Sequence, residues 1–215
     1  MGRQNKKKDV AEHHKETIMQ AAEKLFLEKG FAATTITDIS QAAEYSRRTI
    51  YAYYESKEDI LHHIVLKGLL ALKDNIQQAK MGHSSFIEQY YAICGAMKDY
   101  FMNSPQSFLS VNQADAKEID FNLIPPAAKR IFALGTEINR LLGDFIEDGK
   151  QSCIVRSEVH TMKTVYILWS SISSLLSLVQ SKGTFLEKEF SSTQDEFLQY
   201  GFTQIINSIL EERIS

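Results

Sequence analysis

The stretch Thr35–Asp59, TITDISQAAEYSRRTIYAYYESKED, has the pattern of two short helices, a tight turn and the start of a third helix. Thr35 stands three residues before Asp38, and Ser56 stands three residues before Asp59. Each pair predicts a helix N-terminus, because a hydroxyl and a carboxylate at this spacing satisfy unpaired N–H groups of the first turn. The stretch therefore predicts a compact helical module.

A further cap, Ser46, lies between these two helix starts. The helix after Ser46 carries Arg47 and Arg48 and then the aromatic residues Tyr51 and Tyr53. Arginine is the side chain best shaped to contact the O6 and N7 atoms of guanine together. Short caps, basic residues and aromatics in this order favour a helix-turn-helix, whose second helix lies in the DNA major groove.

Composition outside this stretch favours an all-α protein. The chain has 215 residues, of which 44% are hydrophobic and only three are proline. That length is enough for two modest domains or one large helical one. The formal net charge of −3 does not identify a nucleic-acid binder, so the local clusters have to carry that inference.

Cysteine usage and hydropathy restrict the compartment. Cys94 and Cys153 are the only two cysteines, which gives no framework for disulfides or a zinc site. The N-terminus is basic and then polar, unlike a secretory signal, and no apolar run approaches the length of a membrane span. We therefore expect a cytoplasmic protein that does not enter a membrane.

Apolar periodicity predicts about nine helices. The expected helices span residues 9–29, 36–43, 47–53, 57–80 and 85–102, begin at Pro105 and at Pro125-Pro126, span 159–181, and begin after Thr193. Residues 118–122 and Gly183 are expected in loops. We predict an N-terminal DNA-binding domain of residues 1–55 and a larger helical domain of residues 56–215, with helix 57–80 connecting the two.

Two features near the predicted DNA-binding domain remain open. The basic segment Arg3–Lys8 is either a solvated, disordered tail or an arm that follows DNA phosphates. Glu44 occupies the turn between the two short helices, where a left-handed backbone costs a residue other than glycine about 1–2 kcal/mol. Either that turn has another geometry, or Glu44 tolerates the strain.

The Thr35–Asp59 stretch also resembles the DNA-binding segment of the TetR family of bacterial transcriptional regulators. The resemblance is carried by Thr35, Asp38-Ile39, Ala42-Ala43, Ser46, Thr49-Ile50-Tyr51-Ala52-Tyr53-Tyr54 and Ser56-Lys57-Glu58, and upstream by Ala21-Ala22, Leu25-Phe26 and Gly30-Phe31. It covers about the first 70 residues. The sequence departs from the family pattern at Glu44 and Arg48, both of which occupy positions usually held by glycine.

The resemblance implies which residues touch DNA. Those expected to contact operator bases or phosphates are Thr35, Thr37, Ser46, Arg47, Arg48, Thr49, Tyr51, Tyr53 and Lys57. Tyr54, in contrast, is expected to pack in the core. Two such modules in a homodimer would bind a near-palindromic operator in double-stranded DNA.

The resemblance also implies an effector pocket in the larger domain. Its candidate lining residues are Tyr90, Cys94, Met97, Phe101, Phe108, Gln113, Tyr166 and Trp169. An apolar cavity with few polar groups suits a small, hydrophobic effector. For each of these residues ordinary core packing is an equally good interpretation.

The helix 159–181 and the last helix are apolar on more than one side, so each is buried against more than one neighbour. Either they pair with their copies across a two-fold axis, or the helix 159–181 lies at the centre of a monomeric core. The family resemblance favours the homodimer through these two C-terminal helices.

Together these features predict a ligand-responsive transcriptional regulator, a repressor in preference to an activator, and not an enzyme. No catalytic motif or phosphate-binding loop occurs, and neither a metal nor a cofactor is expected; the neighbouring His62 and His63 cannot share a helix face. The alternatives are an all-helical enzyme or carrier with a vestigial DNA-binding domain, or a regulator without a small-molecule ligand.

Overall fold

The computed structural model describes residues 2–113 and 124–211, and these residues form the predicted all-α fold. The helices in this part of the chain are α1 (Gly2–Lys29), α2 (Ile36–Ala42), α3 (Arg47–Tyr51), α4 (Lys57–Met81), α5 (Phe86–Asn103), α6 (Pro105–Gln113), α7 (Pro126–Gln151), α8 (Thr161–Phe190) and α9 (Gln194–Asn207). The loop expected at residues 118–122 lies outside the described residues.

Local signals placed most helix starts correctly. Thr35 and Asp38 form a reciprocal capping box at the start of α2, and Thr193 and Glu196 form another at the start of α9. Pro105 is the first residue of α6, where its missing N–H costs no hydrogen bond. These starts depend only on residues within one turn of each other.

Helix α1 begins earlier than the predicted start near residue 9. The α1 backbone is helical from Gly2. The residues between Arg3 and Lys8 are Arg, Gln, Asn and Lys, and most of these types have good helix propensity. Continuing the helix toward the N-terminus is therefore inexpensive.

Helix α8 is longer than predicted, because it continues to Phe190 instead of ending near residue 181. Gly183, expected in a loop, lies inside the helix. A Cβ atom at this position would lie 2.6 Å from the side chain of Gln194. The glycine therefore permits close packing of the start of α9, and it does not mark a helix end.

Helix α8 also contains a longer apolar segment than the sequence analysis expected, since no run of membrane-spanning length was predicted. By length and composition alone it could cross a membrane, although a core helix of a soluble protein passes the same test. Its apolar positions include both buried residues, such as Ile172, and exposed ones, such as Ile167.

The chain divides into two compact units, and α4 and α7 each contribute residues to both. The first unit comprises Met1–Leu69 and Ser104–Ala133. Within it α6 packs on α4: a Cβ at Gly68 would lie 2.5 Å from Ser107 Oγ, and this hydroxyl donates to the carbonyl of Val65 at 3.1 Å. The first unit thus contains more of the chain than residues 1–55.

The second unit comprises Leu70–Asn103 and Leu134–Ser215. In it the buried Tyr90 of α5 donates its hydroxyl to the carbonyl of Phe202 in α9 at 2.9 Å. Phe86 stacks on Phe145 of α7 with ring centroids 4.3 Å apart. After α9 an antiparallel bridge joins Leu210 to Val155, which holds the residues directly after α9 against the α7–α8 connection.

Candidate nucleic-acid interface

Helices α1, α2 and α3 pack around one apolar core in the first unit. Ile18 of α1, Ile39 of α2 and Ile50 of α3 are fully buried there. The remaining members of this core are Ala22, Phe26, Ala43, Tyr54, Ile60 and Ile64. Because each short helix contributes a buried anchor, its opposite side is fixed toward solvent.

The turn between α2 and α3 is left-handed at Glu44, whose φ is 57°. This resolves the alternatives left by the sequence, since Glu44 tolerates the strained conformation. Two hydrogen bonds hold the turn closed: Tyr45 N donates to Ser40 O at 3.1 Å, and Ser40 Oγ donates to Tyr45 O at 2.9 Å. The geometry is that of a helix-turn-helix.

The start of α3 presents two arginines to solvent. Ser46 caps the helix by accepting from Thr49 N at 3.1 Å. Arg47 and Arg48 follow immediately, and both are exposed. Their side chains diverge by about 100° around the helix axis. Tyr51, one turn further, is 56% exposed, so its ring is accessible beside the arginines.

The hydroxyl residues of the predicted interface mostly serve as caps. Thr35 Oγ1 donates to Asp38 Oδ2 at 2.7 Å, and the hydroxyls of Ser46 and Thr49 bond to each other at 2.8 Å. Thr37 is exposed. The roles of these four residues toward DNA stay predictions.

Lys57 is engaged inside the first unit. Its ammonium donates to the carbonyls of Phe31 at 2.7 Å and Thr34 at 2.8 Å, and it lies 4.3 Å from the centroid of the Phe31 ring. The side chain therefore closes the connection between α1 and α2. The contact of Lys57 with DNA stays a prediction.

The two tyrosines after α3 have different environments. Tyr54 is 2% exposed and donates its hydroxyl to Lys15 O at 3.2 Å, as its expected core position requires. Tyr53 is partly exposed, and its hydroxyl lies 2.9 Å from Nδ1 of His14 in α1.

The second unit contains a small apolar cavity of about 20 Å³ between α5, α7 and α8. Its lining comprises Tyr90, Ile93, Met97, Leu142, Phe145, Ile146, Val165, Leu168, Trp169 and Ile172. The hydroxyl of Tyr90 is already bonded to Phe202 O. This volume accommodates about one water molecule, whereas sites for drug-sized ligands occupy about 300–1,000 Å³.

Three of the predicted pocket residues, Tyr90, Met97 and Trp169, line this cavity. Cys94 and Phe101 are buried in the same unit without lining it, and Phe108 is buried in the first unit. Tyr166 is 58% exposed. The side chain of Gln113 lies outside the described residues.

Neither His14 nor the contribution of α7 to the cavity was among the predicted site residues. Apolar periodicity does not identify the neighbour that a buried helix face meets. His14 and its partner Tyr53 are 39 residues apart, so no local sequence signal marks their contact.

The described residues include no group of His, Cys, Asp and Glu that could hold a metal ion. Burial raises the pKa of the Cys94 thiol to about 12, so this cysteine remains protonated at neutral pH and is not a nucleophile. In the first unit, hydrogen bonds from Lys29 and Thr35 lower the pKa of Asp38 to about 2, whereas burial raises the pKa of Glu23 and lowers that of His62.

Helices α1–α3 pack on one apolar core, and α3 is capped and carries exposed arginines. This arrangement places the N-terminal part of the chain in the helix-turn-helix class. Residues 18–64 match the family model described as bacterial regulatory proteins, tetR family. The match is confined to the N-terminal segment, which is thus similar to the DNA-binding segment of that family.

Curated relatives match in the same region. The chain is 41% identical over 61 residues to the HTH-type transcriptional regulator HbdR of Aromatoleum sp. (strain CIB), which is 28% of this chain and 26% of that protein. It is 35% identical over 72 residues to the HTH-type transcriptional repressor BepR of Brucella suis biovar 1 (strain 1330), 34% of each. The chain thus spans about a quarter to a third of the length of these relatives.

Solved structures resemble nearly the whole chain. The TetR family transcriptional regulator PfmR of Thermus thermophilus superposes with a TM-score of 0.70 at 23% identity, covering 88% of this chain and 97% of that one. The ketosteroid transcriptional regulator KstR2 of Mycobacterium tuberculosis gives a TM-score of 0.72 at 14% identity, covering 92% and 95%. At these identities the likeness establishes the fold.

Proposed function

We propose that the protein is a sequence-specific DNA-binding transcriptional repressor that acts in the cytoplasm. The observation that carries this proposal is the exposure of Arg47, Arg48 and Tyr51 on a helix whose other side is anchored by the fully buried Ile50. Arginines at the start of such a helix are placed to read guanine edges or to bind phosphate. The sequence match to DNA-binding regulators in this segment supports the same function.

The repressor acts as a homodimer through α8 and α9 in this proposal, and residues 1–55 form its DNA-binding part. Ile167 and Phe185 of α8 and Tyr200 of α9 are 62%, 59% and 66% exposed. Apolar side chains of this size, exposed on two helices that pack together, favour burial against a second copy over a place in a monomeric core. A two-fold pair would bind a near-palindromic operator in successive major grooves.

A small, hydrophobic effector releases the repressor from DNA. The cavity lined by Tyr90, Met97 and Trp169 offers apolar surface, and its one phenolic hydroxyl is engaged by the carbonyl of Phe202. An effector of ordinary size requires α5, α7 and α8 to separate, because the cavity holds about 20 Å³.

The effector changes operator affinity only if it binds one conformation better than the other. Helices α4 and α7 each contribute residues to both compact units, and α4 follows directly on the helix-turn-helix, so we assign to α4 the change in spacing of the two α3 helices. The effector-free conformation is the one that binds DNA.

The test compares Arg47→Ala and Arg48→Ala in the full-length protein, with binding measured by fluorescence anisotropy on the operator and on single-base variants. If the arginine reads a base, its alanine variant should lose about 1–3 kcal/mol of binding free energy and tolerate substitutions at one operator position. If the arginine binds phosphate, its alanine variant should bind all sequences more weakly by the same factor, and the slope of log affinity against log salt should fall by about one.

Arg140→Ala is the matched control, because it removes an exposed arginine from α7, outside the helix-turn-helix. This variant should bind like the unmodified protein. The proposed function is wrong if the unmodified protein does not bind random duplex DNA at low salt, or if all three variants weaken binding equally.

A further inference from the structure

The phenol of Tyr53 is held by a histidine from a different helix. Tyr53 follows α3, and its hydroxyl oxygen lies 2.9 Å from Nδ1 of His14 in α1. The two rings meet edge to face with centroids 5.7 Å apart, and the ring of Tyr45 lies 4.9 Å from His14 on the α2–α3 turn. This contact links the first helix directly to the end of the helix-turn-helix.

The direction of this hydrogen bond decides what Tyr53 can offer to DNA. If Nδ1 accepts, the hydroxyl proton of Tyr53 points at His14, and only oxygen lone pairs face solvent. If Nδ1 carries a proton, it donates to the phenol oxygen, and the Tyr53 O–H is free to donate elsewhere. A phosphate oxygen is an acceptor only, so it requires the second arrangement.

We propose that His14 is a positioning residue for DNA binding: its Nδ1–H holds the phenol oxygen of Tyr53 so that the Tyr53 hydroxyl donates to an operator phosphate. The inference rests on the proposed DNA-binding function and adds a residue outside the helix-turn-helix to it. Protonation of His14 fixes the required arrangement, because both ring nitrogens of the imidazolium are donors. The neutral ring gives the same arrangement when its proton is on Nδ1, so lowering the pH favours the required hydrogen bond but is not a condition for it.

The groups that face His14 allow this assignment. From the helix-turn-helix the phenols of Tyr45 and Tyr53 contact its ring, and on α1 the ring of His13 lies 6.4 Å away. The neighbouring charges on α1, Lys15 and Glu12, form an ion pair with each other at 3.3 Å. No carboxylate contact to His14 occurs among the described residues, so no acidic side chain there competes with Tyr53 for the proton on Nδ1.

The experiment measures operator dissociation constants of the full-length protein and of His14→Phe, His14→Asn and Tyr53→Phe variants, and of the His14→Phe/Tyr53→Phe double variant. Phenylalanine keeps a ring against Tyr45 and removes the nitrogen. Each single phenylalanine variant should weaken binding about tenfold, the scale of a lost hydrogen bond to a charged group. The double variant should be no weaker than Tyr53→Phe, because both changes remove one contact.

The dependence on pH separates positioning from a structural role. Histidine ordinarily changes charge between pH 5 and 8. The unmodified protein should bind more tightly at pH 6 than at pH 8, and this difference should shrink equally in His14→Phe and Tyr53→Phe. His14→Asn places an amide N–H near the position of Nδ1, and this group donates at every pH. The variant should therefore bind more tightly than His14→Phe at pH 8. It should also lose the part of the pH dependence that is lost in His14→Phe.

Two outcomes would overturn the inference. If Tyr53→Phe keeps the full pH dependence, a histidine acts on DNA without Tyr53. If His14→Phe and Tyr53→Phe weaken binding additively, the two residues act independently. Melting temperatures of the variants identify any loss of folding, and the Asn variant, which retains a donor, still tests the hydrogen bond. Failure of the unmodified protein to bind the operator contradicts the proposed function instead.

Discussion

At the scale of single residues, Glu44 departs from the family pattern, which usually has glycine in this turn. A left-handed backbone is disfavoured for any residue with a Cβ, yet Glu44 has a φ of 57° in the turn that sets the direction of α3. The turn is stabilised by its neighbours, since Ser40 and Tyr45 bond to each other across it. The fold therefore tolerates the strain without glycine.

Replacing Glu44 with glycine should stabilise the protein. Relief of the left-handed strain, about 1–2 kcal/mol, exceeds the added conformational entropy of glycine in the unfolded chain, about 0.4–1 kcal/mol. We expect the melting temperature of Glu44→Gly to rise by about 2–4 °C, measured by circular dichroism. Glu44→Ala is the control: it removes the same charge but keeps the Cβ, so it should give no such gain. Equal gains in both variants would assign the effect to charge.

At the scale of elements, α2 depends on a charged cap. The carboxylate of Asp38 accepts from Thr35 N at 2.7 Å and pairs with Lys29 at 2.8 Å. Hydrogen bonds from Lys29 and Thr35 lower the pKa of Asp38 to about 2. Because the folded-state pKa lies below the unfolded value, the ionised cap stabilises the fold above about pH 4, and this contribution is lost as the pH falls toward 2.

Asp38→Asn should therefore destabilise the protein at pH 7 and progressively less at lower pH. Asparagine can still accept the Thr35 hydrogen bond, so the variant removes the charge and its pairing with Lys29. The measurement is the difference in melting temperature between the two proteins at several pH values from 7 to 2.5. A difference that stays constant or grows below pH 4 would contradict the role assigned to the ionised carboxylate.

At the scale of the whole molecule, the proposed effector site should behave as a deformable apolar cavity. Leu142→Ala removes a buried lining side chain of α7 and should lower the free energy of unfolding by about 2–5 kcal/mol. Saturating benzene should restore part of the lost stability by filling the enlarged cavity. Thermal unfolding followed by the fluorescence of Trp169, the only tryptophan, reports directly on the lining.

Leu70→Ala is the matched control for the cavity, because Leu70 of α4 is 44% exposed and lies outside the lining. It should cost clearly less stability and gain nothing from benzene. The same response to benzene in both variants would show that the effect is not specific to the cavity.

The proposed dimer predicts that a charge on the exposed side of α8 prevents association. Ile167→Asp should convert a dimer to a monomer in size-exclusion chromatography with light scattering, because the carboxylate would be buried without a partner. Met81→Asp, which changes an 87% exposed apolar residue of α4, should remain dimeric. A dimer that survives Ile167→Asp would exclude this part of α8 from the interface.

The sequence by itself determined the features that depend on neighbours within a turn or two. The caps at Thr35, Ser46 and Thr193 and the buried faces carrying Ile39 and Ile50 could all be predicted, because short-range spacing encodes them. The all-α class, the helix-turn-helix and its family likeness followed from these local patterns, and the structure and the comparisons confirm them.

Only the tertiary structure decided the features that join distant parts of the chain. The ammonium of Lys57 bonds to carbonyls more than 20 residues away, Gly183 lies inside α8 directly against Gln194, and His14 contacts Tyr53 from another helix. A periodic pattern shows which face of a helix is buried but not which side chain meets it. Partner identity depends on how whole helices pack, and this packing is settled only when all of them are placed together.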